Sequence, residues 1–222
     1  MKKISPNLLA TILVVIGILC FHPAKSQTEF GVKGGLLFSN INAANNNSNV
    51  DFENKNGLTL GVFYKKDLFG PVGLQTEILY QLKGAKSYMA KYEFYDPNEY
   101  SYEEYTQLLN APDSYYRDKE HHHYFTLPVL LTIKTTKFLD LYAGPEFGYL
   151  FSLERNWEES GNLNRFSAGI AAGISLKLCE KTRLDFRYST DLTRYDTLGK
   201  NSSVDLKNYG FAFTIQQTIF RK

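Results

Sequence analysis

The chain has 222 residues, of which 43% are hydrophobic and 22% charged, and a formal net charge of +2. Lys2, Lys3 and Lys25 all precede residue 27, so residues 27–222 carry 22 basic against 23 acidic side chains, a net charge of −1. This balance gives no charge argument for a nucleic-acid partner, and we expect none. Only Cys179 follows residue 26, which excludes an intramolecular disulfide in that part of the chain.

The first 26 residues have the pattern of a secretory signal peptide. A basic start is followed by an apolar run over residues 8–21 and by a small-x-small cleavage site that ends at Ser26. The apolar run is shorter than the ~20 residues that a membrane-spanning helix needs. We therefore predict a cleaved signal peptide over residues 1–26 and a single domain over residues 27–222.

Eight later segments alternate between apolar and polar residues, the period of a β-strand with two different faces. In Val72–Lys83, for example, Ile78 lies on an apolar face and Glu77 on a polar one. This segment is long for a soluble sheet, where strands of about 5–6 residues are commonest, but it suits an outer-membrane strand. The eight predicted strands are 28–42, 57–65, 72–83, 122–134, 139–152, 164–178, 183–195 and 208–220.

The predicted connections alternate in length along the chain. Three are short, at 66–71, 135–138 and 179–182, and four are long, at 43–56, 84–121, 153–163 and 196–207. Short turns on one side and long loops on the other are typical of outer-membrane barrels with both termini in the periplasm. The predicted fold is all-β: an eight-stranded antiparallel up-and-down transmembrane β-barrel with one long extracellular loop, 84–121.

A soluble barrel of the lipocalin type would show the same alternation, with the apolar face inward. Three features favour the membrane: an apolar face nearly free of charge, a polar face rich in small residues, and aromatic residues near the strand ends. The polar face also carries charges of both signs, which we expect to form structural ion pairs in the lumen. These residues are Lys33, Glu77, Lys83, Glu146, Arg165, Asp185 and Arg187.

Five short motifs add a resemblance to a known family. They are FGVKGGLLFSN at 30–40, LPVLL at 127–131, YAGPEFGYL at 142–150, AGIAAGISL at 168–176 and LDFRYS at 184–189. In this order they resemble the PorT-like outer-membrane β-barrel family of the Bacteroidota, barrels of the size of OmpA or OmpX. The resemblance implies a place in the outer membrane of a Gram-negative cell envelope, contact with outer-membrane lipid and insertion by the barrel-assembly machinery. PorT itself is associated with type IX secretion, a role that does not transfer to every member of the family.

Three adjacent histidines are the candidates for chemistry. His121 and His123 would share one strand face, with His122 on the other. Two imidazoles could bind a metal ion, but a closed site needs about four ligands. We therefore interpret the cluster as a polar junction between loop and strand, and expect no metal, no cofactor, no catalytic residue and no enzymatic activity.

The predicted loop 84–121 contains eight tyrosines, and its eight acidic and four basic residues give it a net charge of −4. Tyrosine supplies rigid amphipathic area at binding surfaces. The loop could equally be an ordered lid over the barrel mouth. Its candidate binding residues are Tyr92, Tyr95, Tyr100, Tyr102, Tyr105, Tyr115 and Tyr116.

Two functions fit this sequence. The first is a non-enzymatic outer-membrane barrel whose extracellular loops bind a protein or glycan at the cell surface or in the envelope, or modulate the surface. The alternative is an accessory component of secretion or transport in the outer membrane. Because eight strands leave an interior only wide enough for side chains, we predict no steady conductance.

Overall fold

A computed structural model describes residues 27–44, 50–90, 103, 115–154, 163–194, 196–198 and 204–222. Nearly all of these residues lie in eleven β-strands. The strands are β1 (Thr28–Ala44), β2 (Val50–Phe69), β3 (Val72–Lys83), β4 (Ala85–Ala90), β5 (Tyr115–Lys119), β6 (His121–Lys134), β7 (Leu139–Glu154), β8 (Phe166–Lys177), β9 (Thr182–Asp191), β10 (Asp196–Leu198) and β11 (Val204–Arg221). Within these ranges, no helix is long and apolar enough to cross a membrane.

Eight of the strands close into a barrel in which each strand runs antiparallel to both of its neighbours. The order around the wall is β1, β2, β3, β6, β7, β8, β9 and β11. Pairing of β1 with both β2 and β11 closes the circle. Each barrel strand contains most of one predicted strand, so the predicted eight-stranded up-and-down barrel is confirmed.

The polar face of the wall points inward and the apolar face outward. On β9, for example, Asp185 and Arg187 are buried, whereas Tyr188 between Arg187 and Ser189 is exposed. On β8, Ile170 is exposed and its neighbour Ala171 is buried. A soluble barrel would have the opposite arrangement, so this orientation decides between the two alternatives in favour of the transmembrane barrel.

The short turns and the described chain ends lie together at one end of the barrel, which we call the turn end. The turns are 70–71, 135–138 and 178–181. The amide of Thr28 donates to the carbonyl of Lys222, and the amide of Lys222 donates back to Thr28, each at 2.9 Å. The opposite end, which we call the loop end, carries the longer connections.

Several strands continue past the predicted strand ends at the loop end. The predicted loops 43–56 and 196–207 shrink because β1 reaches Ala44, β2 begins at Val50 and β11 begins at Val204. Residues above the lipid need no apolar face, so their alternation disappears from the sequence although the ladder of backbone hydrogen bonds continues. The sequence pattern therefore marks the segment of each strand inside the membrane rather than the whole strand.

The predicted loop 84–121 also contains strands. β4 pairs with the upper part of β2, and β5 pairs with β4, so this part of the wall rises above the barrel. Beyond the Ser39–Lys55 pair, β1 continues with β11 whereas β2 continues with β4. The wall thus divides at its rim. Apart from Glu103, residues 91–114 lie outside the described residues.

Gly84 stands between β3 and β4, which both pair with β2, while the partner on their other side passes from β6 to β5. Its φ of 134° lies in a region that side-chain-bearing residues rarely adopt. Ser39 donates through Oγ to the Gly84 carbonyl at 2.8 Å, and Lys55 donates through Nζ to the Glu120 carbonyl at 2.6 Å. These side chains satisfy carbonyl groups at the junction of the barrel and its extension.

Candidate functional site

The centre of the lumen holds four charged side chains, which we call the central network. Lys33 on β1 donates through Nζ to Asp185 Oδ2 at 2.6 Å and to Glu77 Oε1 at 3.3 Å. Arg187 on β9 donates through Nη2 to the same Glu77 oxygen at 2.7 Å. All four residues are at most 3% exposed. Two cations and two anions are therefore matched in a region shielded from water.

Uncharged side chains add hydrogen bonds to the two central acids. Gln75 donates through Nε2 to Glu77 Oε1 at 2.6 Å. Gln216 donates to Asp185 Oδ1 at 3.0 Å, and Thr214 donates to Asp185 Oδ2 at 3.2 Å. A buried carboxylate is expensive unless it is both paired and hydrogen-bonded, and these contacts supply both.

Above the central network, a loop-end network crosses the lumen from β3. Lys83 Nζ lies 3.3 Å from Glu146 Oε1 and 3.6 Å from Asp191 Oδ1. It also lies 5.2 Å from the centre of the Tyr124 ring, within cation–π range. Asn208 donates through Nδ2 to Asp191 Oδ2 at 3.3 Å.

His122 extends this network toward the rim. Its Nδ1 lies 3.1 Å from Asn208 Oδ1, and its Nε2 lies 2.9 Å from Glu120 Oε2. Asn208 uses its side-chain nitrogen to donate to Asp191, so its side-chain oxygen faces His122. Both ring nitrogens therefore lie within hydrogen-bonding distance of side-chain oxygens in the lumen.

A third layer closes the turn end. Arg183 donates through its two terminal nitrogens to Glu29, at 2.6 and 3.2 Å, and Arg221 donates to the same carboxylate at 2.5 Å. Lys65 donates to Asp140 at 2.5 Å. The bidentate geometry of Arg183 is the strong form of this pair.

The three layers join strands that are not neighbours in the wall. The central network connects β1, β3 and β9, and the contact of His122 with Asn208 connects β6 to β11. Such contacts cross-brace a barrel in addition to its backbone ladders. The chemistry of the lumen is therefore that of a structural ion-pair core.

On the outer face, aromatic side chains cluster near the loop end. Phe125 and Phe151 stack with ring centres 4.9 Å apart, and Tyr80 lies 6.2 Å from Phe151. The Tyr80 hydroxyl and His123 Nδ1 are 2.8 Å apart. Amphipathic rings at this level are typical of the boundary between lipid and water.

A family model described as an outer membrane protein beta-barrel domain matches residues 23–195, well over half of the chain. The chain belongs to this family. Membership of this family, together with the apolar outer face of the barrel, places the protein in the outer membrane. No curated protein matches the chain.

Several solved structures of small outer-membrane proteins are similar to this family member. The attachment invasion locus protein Ail of Yersinia pestis is 12% identical, with 90% of this chain and 100% of that chain covered and a TM-score of 0.46. Neisserial surface protein A is 10% identical, with coverages of 87% and 99% and a TM-score of 0.46. OprG of Pseudomonas aeruginosa is 10% identical, with coverages of 89% and 95% and a TM-score of 0.41.

Six of the seven lumen residues predicted for this outer-membrane barrel lie in the two networks. Lys33, Glu77, Asp185 and Arg187 form the central network, and Lys83 and Glu146 belong to the loop-end network. Arg165 does not join these ion pairs, contrary to the prediction. It lies exposed in the segment before β8, which begins at Phe166 and therefore does not hold Arg165 in the inward-facing row.

The three histidines diverge instead of forming one site. His122 is buried in the lumen, whereas His121 and His123 lie on the outward side of β6. His123 contacts Tyr80, and its Nε2 lies 3.6 Å from the exposed Glu154. Among the described residues, no group of three or more His, Cys, Asp or Glu side chains could hold a metal ion.

Five of the predicted tyrosines, Tyr92, Tyr95, Tyr100, Tyr102 and Tyr105, lie outside the described residues. Tyr115 and Tyr116 lie on β5, where they pair with Ala90 and Met89 of β4. The role of all seven in binding stays a prediction.

Six further polar residues pair in the lumen although their pairing was not predicted: Glu29, Lys65, Glu120, Tyr124, Asp191 and Asn208. Glu120 was assigned to a loop, although it lies two residues from His122 and on the same side. The available signal was parity. Glu29, Lys65, Tyr124, Asp191 and Asn208 lie in inward rows of the predicted strands, and Glu120 joins such a row once 122–134 is extended by two residues.

Proposed function

We propose that this protein is a non-enzymatic surface protein of the outer membrane that binds a protein or glycan partner through its loop end. One observation carries the proposal: the lumen is occupied by cross-bracing ion pairs, while the sheet rises above the rim as β2, β4 and β5. A barrel built this way serves as a rigid support. The surface open to a partner is the part of the chain above the rim.

The composition of the loop end indicates the kind of partner. The segment 84–121 combines eight tyrosines with a net charge of −4. Tyrosine-rich surfaces bind through rigid amphipathic contacts, and an acidic surface favours a partner with basic patches. The proposed partner is therefore a protein or glycan with a basic, partly apolar surface, at the cell exterior or within the envelope.

The pairing of β4 with β5 offers a precise test. Because Ala90 pairs with Tyr115, residues 91–114 can be replaced by Asn-Gly, a sequence that favours a two-residue hairpin turn. The variant removes five of the seven candidate tyrosines and keeps the hairpin. Purified full-length protein and this variant would be compared on an array of envelope and extracellular proteins and glycans.

We expect the replacement to abolish binding and to leave the heat-modifiable gel mobility of the folded barrel unchanged. A second variant, with Tyr115 and Tyr116 changed to Ala in the full-length loop, separates the hairpin residues from the rest. Binding that survives in both variants would contradict a role for this segment.

An accessory role in secretion or transport is the second candidate, in line with the PorT-like motifs. The matched charges in the lumen favour an accessory rather than a conduit, because Lys33, Glu77, Asp185 and Arg187 occupy the centre of the barrel. Purified protein in planar bilayers should show no steady current. Reproducible open-channel currents would contradict an accessory role without conduction.

We also propose that residues 1–26 are removed on export and that the turn end faces the periplasm. Cys179 is exposed in the 178–181 turn, and Cys20 would leave with the signal peptide. A maleimide polymer too large for the outer membrane should label one thiol per chain, and only after the membrane is permeabilised. Two labelled thiols would refute cleavage, and labelling in intact cells would refute the orientation.

A further inference from the structure

The turn end is built from four equivalent places around the barrel. Three are the turns that connect β2 to β3, β6 to β7 and β8 to β9, and the fourth is where the two described chain ends meet between β11 and β1. Since the wall runs β1, β2, β3, β6, β7, β8, β9, β11, one such place follows every second strand.

Each of these places carries a lysine, and we call the set the turn-end lysines. Its members are Lys66, Lys137, Lys177, Lys181 and Lys222. Lys177 is half-buried and the other four are exposed. Positive charge is therefore spread around the whole circumference instead of being gathered on one side.

The acidic side chains nearby are already engaged by other basic residues. Glu29 binds Arg183 and Arg221, Asp67 binds Lys134, and Asp140 binds Lys65. Among the described residues, none of the turn-end lysines forms an ion pair, and Glu180 is the one acidic side chain at this end outside the pairs just named. The turn-end lysines therefore leave their charge available to something outside the chain.

The net charge of the chain hides this arrangement. The turn end, taken as residues 27–29, 65–72, 133–140, 177–183 and 220–222, has nine basic and four acidic side chains, a net charge of +5. The rest of residues 27–222 has 13 basic and 19 acidic side chains, a net charge of −6. The near-neutral total thus comes from two oppositely charged parts.

Large apolar side chains stand beside these lysines. Phe138, Leu178 and Phe220 are 69%, 62% and 55% exposed. Phe138 and Leu178 adjoin Lys137 and Lys177 in the chain, and Phe220 lies two residues from Lys222. Lys66 continues the outward row of β2 that includes Tyr64. An apolar side chain beside a cation suits the boundary between acyl chains and headgroups, where long cationic side chains reach toward the polar layer.

We propose that the turn-end lysines form a ring that binds the phosphate groups of anionic phospholipids in the leaflet around the turn end. The exposed Phe and Leu side chains favour a lipid over a soluble polyanion, because a soluble partner would leave them in water. The ring selects anionic over zwitterionic headgroups and fixes the depth of the barrel in the membrane. This surface is separate from the loop end, so its test is independent of the proposed partner binding.

The experiment measures headgroup selectivity directly. Full-length protein is reconstituted in phosphatidylcholine bilayers, and electron paramagnetic resonance follows spin-labelled phosphatidylglycerol and phosphatidylcholine at the protein surface. At low salt we expect phosphatidylglycerol to associate about threefold more strongly, because each cation near the surface attracts anionic lipid. At ~1 M salt, where the Debye length is about 3 Å, the ratio should fall close to one.

Changing the five turn-end lysines to Gln should bring the low-salt ratio close to one. The matched control changes five basic residues at the loop end to Gln and should keep the wild-type ratio. Those residues are Lys86, Lys119, Arg165, Arg194 and Lys207. If the fivefold variant does not fold, Lys137→Gln with Lys181→Gln, both in exposed turns, should still lower the ratio measurably.

Three results would overturn the proposal. The first is a wild-type ratio of one at low salt, including the case in which the protein binds soluble polyphosphate instead. The second is a turn-end variant, fivefold or double, that keeps the wild-type ratio. The third is a loop-end variant that loses the selectivity.

Discussion

The inner and outer faces of the barrel wall show how differently neighbouring residues are used. On β9, Arg183, Asp185 and Arg187 point inward and form ion pairs, while the residues between them point outward with the apolar surface. Inside, these charges depend on named partners on strands that are not neighbours of β9. Outside, Leu, Ile and Phe side chains depend on lipid as a solvent and on no particular neighbour.

This difference predicts where the protein is fragile. A change on the inner face removes a specific partner and leaves another charge unmatched. A change on the outer face acts through its depth in the lipid. The variants below separate these two effects by urea unfolding of the folded barrel in detergent or lipid vesicles, followed by heat-modifiable gel mobility.

The largest effect is expected from Glu77→Leu in the central network. It leaves Lys33 paired with Asp185 and leaves Arg187 4.0 Å from Glu146, and breaking a buried pair costs about 3–5 kcal/mol. The free energy of unfolding should fall by that amount, or the barrel should fail to assemble. Adding Arg187→Met should recover part of the loss, since replacing both partners costs less than removing one. Equal stability of Glu77→Leu and wild type would contradict the role of the network.

An intermediate effect is expected from Ile170→Lys on the outer face. Ile170 lies mid-strand on β8 and is 52% exposed. A lysine at the middle of the bilayer should destabilise the barrel by about 2–4 kcal/mol. The matched control, Leu178→Lys in the 178–181 turn, should cost about 0–1 kcal/mol because the headgroup layer is near. Similar losses for both variants would show that the outer face does not meet lipid.

The smallest effect is expected at the loop end, where adjacent histidines separate the two faces. His122→Ala removes contacts to Asn208 and Glu120 in the lumen, and unmet buried polar groups cost about 1–3 kcal/mol. His121→Ala changes a residue on the outward side and should stay within ~0.5 kcal/mol of wild type. The reverse ranking would contradict the assignment of their faces.

The sequence predicted the part of the fold in which both faces are constrained. Within the membrane, alternation identifies each strand and its inward residues, which is why Lys33, Glu77 and Asp185 were found. Outside the membrane, the outward face needs no apolar residues, so β4, β5 and the ends of β1, β2 and β11 left no pattern to read.

The pairing inside the lumen could not be predicted from the sequence, because partners come from distant strands whose relative heights depend on register. Arg165 shows that alternation alone does not locate the end of a strand. The predicted strand 164–178 included Arg165 among the inward residues, but β8 begins at Phe166. The positive charge of the turn end could not be predicted from the sequence either. Lys66, Lys137 and Lys222 are far apart in the chain and become one surface only when the barrel closes.

The central claim is that the apolar outer face meets lipid, and the partition of the wild-type protein tests it most directly. Cells are fractionated, and outer membranes are extracted with buffer, with high salt and with detergent. We expect the protein in the outer-membrane fraction, released by detergent alone, with the heat-modifiable mobility of a folded barrel. Soluble, monodisperse protein recovered without detergent would contradict the transmembrane barrel and the proposals that depend on it.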